Sequence, residues 1–94
     1  MKIEHTHERS GGQFTAVDEN HRQIGVMSYT LSETDQMSIN HTVVNPALEG
    51  RGIGHSLVRE AVAYAREHHL KIIPVCWFVK LLLNRNADFK DVLA

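Results

Sequence analysis

Half of the six glycines in this 94-residue chain fall within five consecutive positions, in the stretch Glu49–Val58, EGRGIGHSLV. Gly50, Gly52 and Gly54 alternate with Arg51 and Ile53. Glycine reaches positive φ and tolerates close backbone approach, so the stretch predicts a tight turn whose main chain lies open. A helix must follow at once. From Gly52 to His68, apolar or aromatic residues recur at three- and four-residue spacing (Ile53, Leu57, Ala61, Tyr64, Ala65, His68), while Arg59, Glu60, Ala63 and Glu67 lie off that stripe.

What precedes the turn reads as β. Gly12–Asp18, Gln23–Leu31 and Met37–Asn45 are three strand-like runs separated by the polar turns ENHRQ and SETDQ. In the third, Met37, Ile39, His41 and Val43 share a face. Short connections favour an antiparallel meander, and Pro46 ends it. Beyond the helix, LKIIPVCW is a nearly all-apolar run, the pattern of a strand covered on both faces. Pro74 cannot donate to a ladder, so it predicts an edge or a local break in pairing there. FVKLLLN reads as a short helix and ADFKDVLA as a tail that adds a last strand. The expected class is α/β (α+β): one domain over residues 1–94, order β-β-β-α-β-α, with a mixed, mostly antiparallel sheet.

Charge narrows the function classes. The net charge is -1 with both signs interspersed, which offers nucleic acid or an anionic membrane no basic stripe. No apolar run approaches the roughly 20 residues of a membrane span, and the start, MKIEHTHERSGG, has no apolar core of a secretory signal. One cysteine forms no internal disulfide, so a cytoplasmic setting is expected. Three phosphate-binding patterns compete for the glycine stretch. The dinucleotide fingerprint needs G-x-G-x-x-G after a βαβ strand, and the spacing here is G-x-G-x-G after a meander. The P-loop needs a lysine where His55 stands, and the spacing is one residue short. Their shared physics survives: open backbone N–H groups and a helix N-terminus attract an anion, and Arg51 adds a charge.

The third pattern fits. EGRGIG resembles the pyrophosphate loop of the GNAT acetyltransferase superfamily, Arg/Gln-x-x-Gly-x-Gly/Ala between a strand and a long helix. Gly52 and Gly54 match the two small positions. Glu49 stands where Arg or Gln is usual, and Arg51 is the candidate to compensate. The stretch INHTVVNPALEGRGIGHSLVREAVAYAREHHLKIIPVCWFV is similar to a minimal subgroup that keeps the cofactor half of the fold, and the likeness runs from Ile39 to Val92.

The resemblance implies an acetyl-CoA-dependent N-acetyltransferase with splayed strands around the cofactor and no metal. The acceptor is then a primary amine on a lysine, an N-terminus or a small molecule. It implies that Val43 and Val44 offer backbone hydrogen bonds to the pantetheine arm, with Pro74 at the splay. Glu49, Gly50, Arg51, Gly52, Ile53, Gly54 and His55 then surround the pyrophosphate. Cys76 falls near the acetyl group, as acid or acyl acceptor, and His41 is the candidate base. Many members use a tyrosine on the last helix as the acid, and FVKLLLNRNADF has none. Asn84 and Asn86 are either cofactor contacts or helix-end caps. The histidines His5, His7, His68 and His69 come without a cysteine pair or H-E-x-x-H spacing, so no metal site is expected. Two rival readings are a non-catalytic acyl-CoA-binding module and an interaction protein whose glycines only turn the chain.

Overall fold

The computed structural model describes all residues, Met1–Ala94. Four strands come first: β1 (Lys2–Glu8), β2 (Gly11–Val17), β3 (Gln23–Leu31) and β4 (Gln36–Val44). A one-turn 3-10 helix (Pro46–Leu48) leads to α1 (Ile53–Glu67), β5 (Lys71–Pro74), α2 (Trp77–Arg85) and a second 3-10 segment (Ala87–Val92). The five strands lie in sequence order in one sheet, antiparallel except for the parallel β4–β5 pair. The mixed, mostly antiparallel α+β class is as expected from the sequence, with one strand more than β-β-β-α-β-α. The tail forms a single bridge, Leu93 to Ile72, in place of a last strand.

The added strand, β1, does not follow the rule of apolar alternation. Its inward positions are Ile3 and His5, and the rest is charged or polar. His5 substitutes for an apolar residue by stacking flat on Phe14, with ring centres 4.1 Å apart and 9° between planes. Its Nε2 is hydrogen-bonded to the Tyr29 hydroxyl at 2.5 Å. Burial first, and then the neighbouring Tyr64 phenol, push the Tyr29 hydroxyl above its ordinary pKa, so it stays protonated.

Both helices pack on one face of the sheet. Phe14, Met27, Tyr29, Met37 and Ile39 meet Leu57, Val58, Ala61, Val62 and Ala65 of α1, with Val79 and Leu83 of α2, in one buried core. The helical stripe of the sequence is this buried face, except that His68 is exposed. The α1 helix ends on His69 at φ 56, while Leu70 N–H returns to the Ala65 carbonyl at 2.8 Å. Arg66 closes the tail with two bonds to the Asp91 carboxylate, 2.9 and 2.8 Å. No helix is long and apolar enough to cross a membrane.

One irregularity decides which residues reach the site. Tyr29 pairs with Ile39 but Ser28 pairs with His41, so Asn40 is an extra residue in β4, a β-bulge. Parity reverses there. Met37 and Ile39 are buried in the core, whereas His41 and Val43 point outward and are exposed. The expectation that His41 shares an apolar face with Met37 and Ile39 is therefore corrected, because strict alternation does not survive a bulge.

His5 is expected to leave a pH signature. Burial first, then the charges of His7 and His68, hold its imidazole below its ordinary pKa of 6.5. The unfolded chain therefore binds the proton more readily, so stability is complete above that value and declines as pH falls through it. Urea melts should show a lower midpoint at about pH 5 than at about pH 7.5. His5→Gln, which keeps a hydrogen-bond partner for Tyr29, should shrink that difference; an undiminished difference would remove His5 as its cause.

Candidate functional site

Pairing between β4 and β5 stops at Ile39–Pro74. Proline has no N–H to continue the ladder, and the next two N–H groups, of Val75 and Cys76, both converge on the Ile39 carbonyl at 3.1 and 2.9 Å. The chain then turns into α2 while β4 runs on to Val44. The strands part, and beyond the end of their pairing a cleft of about 640 Å³ opens beside β4, inside the size range of small-molecule sites. β4 lines it with Thr42 and Val44, the 3-10 turn with Leu48, and α2 with Phe78. Glu49, Gly50, Gly52, Ile53, Gly54 and His55 complete it.

Beyond the bulge, one edge of β4 is free. Asn45 N–H bonds to the Ile24 carbonyl of β3 at 2.9 Å, and the paired rows are His41–Ser28 and Val43–Val26. Main-chain groups alternate between the two edges of a strand. The N–H and C=O of Thr42 and Val44 therefore face the cleft, and those of Val43 face β3. No strand pairs with this edge, which is able to bind an extended amide-bearing ligand.

The glycine stretch supplies a second device. Gly50 and Gly52 have φ of 84° and 79°, and a Cβ built on either would meet nothing within 4 Å. Backbone conformation, not crowding, demands glycine there. The first helical bond of α1 runs from Ser56 N–H to the Gly52 carbonyl at 3.0 Å. The N–H groups of Ile53, Gly54 and His55 thus have no helical acceptor. No side chain caps them and no acid sits in the first turn, which suits an anion. Glu49 lines the same cleft as its one carboxylate. Gly54 has a different reason: a Cβ on it would lie 2.6 Å from Phe78 Cζ. It lets α2 approach α1 and places the Phe78 ring over the loop, where His55 meets it edge-on at 6.2 Å. A cradle of free N–H groups beside an open strand edge fits a diphosphate with an amide-bearing arm, the chemistry of coenzyme A.

Cys76, the residue before α2, does not itself line the cleft; it adjoins the cleft at Thr42 and Phe78. Burial pushes its thiol up, but the Val79 N–H, the Thr42 hydroxyl and the N–H groups of Phe78 and Thr42 outweigh it, and its pKa lies below the ordinary value. Thr42 Oγ1 is buried and has no partner of normal hydrogen-bond geometry, with the Cys76 sulfur as the acceptor in its reach. A thiol accepts weakly and a thiolate strongly, so the waiting hydroxyl favours the anion.

Other residues singled out in the sequence lie elsewhere. Arg51 is exposed and does not line the cleft. Asn84 donates to the Lys80 carbonyl of its own helix at 2.8 Å, and Asn86 caps the second 3-10 segment through Asp88 N–H. Val43 is 61% exposed on the outer face. The sequence reading missed Thr42, Leu48 and Phe78. Leu48 and Phe78 are apolar residues flanking the motif; for Thr42 no local signal existed.

A family model described as GCN5-related N-acetyl-transferase matches residues 13–92. Protein NATD1 of Gallus gallus is 29% identical over 84 residues, 89% of this chain and 76% of that protein. The solution structure of a GCN5-like protein of Staphylococcus aureus is 32% identical with TM-score 0.77, covering 99% of this chain and 87% of that one. A ribosomal-protein-alanine N-acetyltransferase of Brucella melitensis shares the fold at 18% identity, TM-score 0.67, over 83% of this chain and 63% of its own.

Two glycine substitutions should fail differently. Gly54→Ala drives the Phe78 ring away and should destabilise by about 1–3 kcal/mol, as overpacking does; Phe78→Leu in the same chain should restore part of it. Gly52→Ala meets no atom and should cost about 1–2 kcal/mol through its left-handed backbone, with no rescue by Phe78→Leu. Chemical melts of the four variants check both; rescue of Gly52→Ala would refute the division.

Proposed function

The chain belongs to the GCN5-related N-acetyltransferase family and is a transferase, and from that premise we propose that it moves an acetyl group from acetyl-CoA to a primary amine through the cleft beside β4. The observation that carries this reading is the conjunction, in one cleft, of the β4 edge and the uncapped α1 N-terminus, with the thiol of Cys76, whose pKa is lowered, adjoining that cleft at Thr42. When bound, acetyl-CoA supplies an acyl thioester, an electrophilic carbon already activated for transfer.

The chain's own groups take the remaining roles. The N–H groups of Ile53, Gly54 and His55 hold the pyrophosphate, with Gly50 and Gly52 keeping the loop open to it. Glu49 directs this end toward a ligand whose charge is partly neutralised. The C=O of Thr42 and the N–H and C=O of Val44 hold the pantetheine arm as an added strand. That extended posture brings the thioester toward Thr42, beside which Cys76 waits. Thr42 and the N–H groups of Val79 and Phe78 stabilise a thiolate there, so Cys76 acts as nucleophile and takes the acetyl group. The new S–C bond forms as the C–S bond to the coenzyme breaks, and the coenzyme sulfur leaves with the electron pair and takes a proton. An amine then accepts the acetyl group and Cys76 Sγ is released. His41 is exposed on the outer face beside Thr42 and is the group that receives an amine proton, directly or through water.

The rival binding-module reading makes opposite predictions for the same assay. Incubation with acetyl-CoA, without amine, should add one acetyl mass to the peptide containing Cys76 and release an equal amount of free coenzyme. Cys76→Ala should bind the coenzyme normally and lose turnover by about 10²-fold or more. Alkylation of Cys76 by iodoacetamide should reach half its maximal rate below the pH of an ordinary thiol, because a lowered pKa raises the thiolate fraction. Thr42→Val should move that midpoint upward. Unchanged turnover in Cys76→Ala would overturn the nucleophile; coenzyme bound with no transfer to any amine would favour the binding module.

A further inference from the structure

Four large apolar side chains are exposed on this protein, and three of them surround one point. Val75 and Trp77, 61% and 73% exposed, flank Cys76; Val43, 61% exposed, follows Thr42, whose hydroxyl reaches the Cys76 sulfur. The fourth, Met1, is the chain start. Clustered exposed apolar surface marks a binding site more often than scattered residues do. Val43 is on the outer face of the sheet, and none of the three lines the coenzyme cleft, so they form an apolar lip outside it.

The electrostatics of that lip are equally one-sided. From Gln36 to Leu48, and again from Leu70 to Ala87, the chain has no Asp or Glu. It has Lys71, Lys80 and Arg85, with Lys80 one turn beyond Trp77. The neighbouring outward residues of the sheet are uncharged too: Val26 and Thr15 beside Val43, Ser28 and Gln13 beside His41. No carboxylate lies at the lip to balance an ammonium ion; the outward row through Val43 reaches one only at Glu4, three strands away. Cation–π attraction to an exposed Trp is worth only about 0.5–1 kcal/mol, and Lys80 works against it. An alkylamine of pKa about 10.4 has roughly one molecule in 2,500 neutral at pH 7. An arylamine is already neutral, because its lone pair is delocalised into the ring, and its flat apolar ring matches Trp77, Val43 and Val75.

We propose that the acceptor at this site is an amine uncharged at neutral pH and borne on a flat apolar group, the arylamine class. The proposal rests on the acetyltransferase reading above. In the step it describes, the neutral nitrogen attacks the acetyl carbon, the C–N bond forms, and the C–S bond breaks with its electron pair going to sulfur. The proton shed by nitrogen passes to that sulfur, directly or through His41.

The test compares 4-methoxyaniline, benzylamine and spermidine as acceptors for the full chain with acetyl-CoA, with acetyl-CoA affinity measured on the same samples. Benzylamine keeps the ring but is cationic, so it separates shape from charge. The expected kcat/KM for 4-methoxyaniline exceeds that for benzylamine by about tenfold or more, and spermidine is poorest. Trp77→Ala should lower kcat/KM for 4-methoxyaniline by about tenfold and leave acetyl-CoA affinity unchanged. Val43→Asp, which adds a carboxylate to the lip, should narrow the gap in favour of benzylamine and spermidine. Equal or better use of benzylamine or spermidine by the unmodified chain, with acetyl-CoA bound, overturns the acceptor class alone. No binding of acetyl-CoA overturns it together with the reading it rests on.

Discussion

One carbonyl, that of Ile39, receives the N–H groups of both Val75 and Cys76, at 3.1 and 2.9 Å, immediately after its residue pairs with Pro74. That convergence ends the parallel ladder. Had β5 continued beside β4, the main-chain groups of Thr42 and Val44 would have been consumed in sheet pairing. Because it stops, no strand pairs with them, the cleft exists, and Cys76 is delivered beside it at the start of α2, within reach of Thr42. The Asn40 bulge acts with it: reversing the parity of β4 turns Thr42 and Val44 to the cleft and His41 and Val43 outward. A proline and a single extra residue therefore divide the same strand into a face toward the cleft and a face turned outward.

The three glycines of EGRGIG look alike in sequence but serve three purposes. Gly50 shapes the approach to the loop and Gly52 the entry to α1, both through positive φ with open space around them. Gly54 yields its side-chain volume to Phe78. The loop geometry thus depends on packing between α1 and α2 as much as on local backbone preference.

The fold class, the α1 helix and the break at Pro74 were legible in the sequence because each follows from a local rule: helical periodicity, an interrupted ladder, a cluster of glycines. β1 was not legible, since Ile3 is its only inward apolar residue and His5 substitutes for another through stacking and the Tyr29 bond. The bulge at Asn40 left no mark, so His41 was placed on the wrong face. Loop residues Glu49, Gly50, Gly52, Ile53, Gly54 and His55, named from the motif, do line the cleft. Arg51 and Asn84 do not, because an exposed side chain in a turn and an asparagine bonded within its own helix turn elsewhere. Thr42 could be found only in three dimensions: its buried hydroxyl becomes informative when Cys76 lies opposite.

The central claim is that the cleft beside β4 holds acetyl-CoA, and a titration of isotope-labelled protein followed through backbone amide signals tests it most directly. The account predicts saturable shifts at Thr42, Val44, Gly50 to His55 and Cys76, with β1 (Lys2–Glu8) unmoved. Signals that stay fixed at millimolar acetyl-CoA, or that move only away from this cleft, would contradict it.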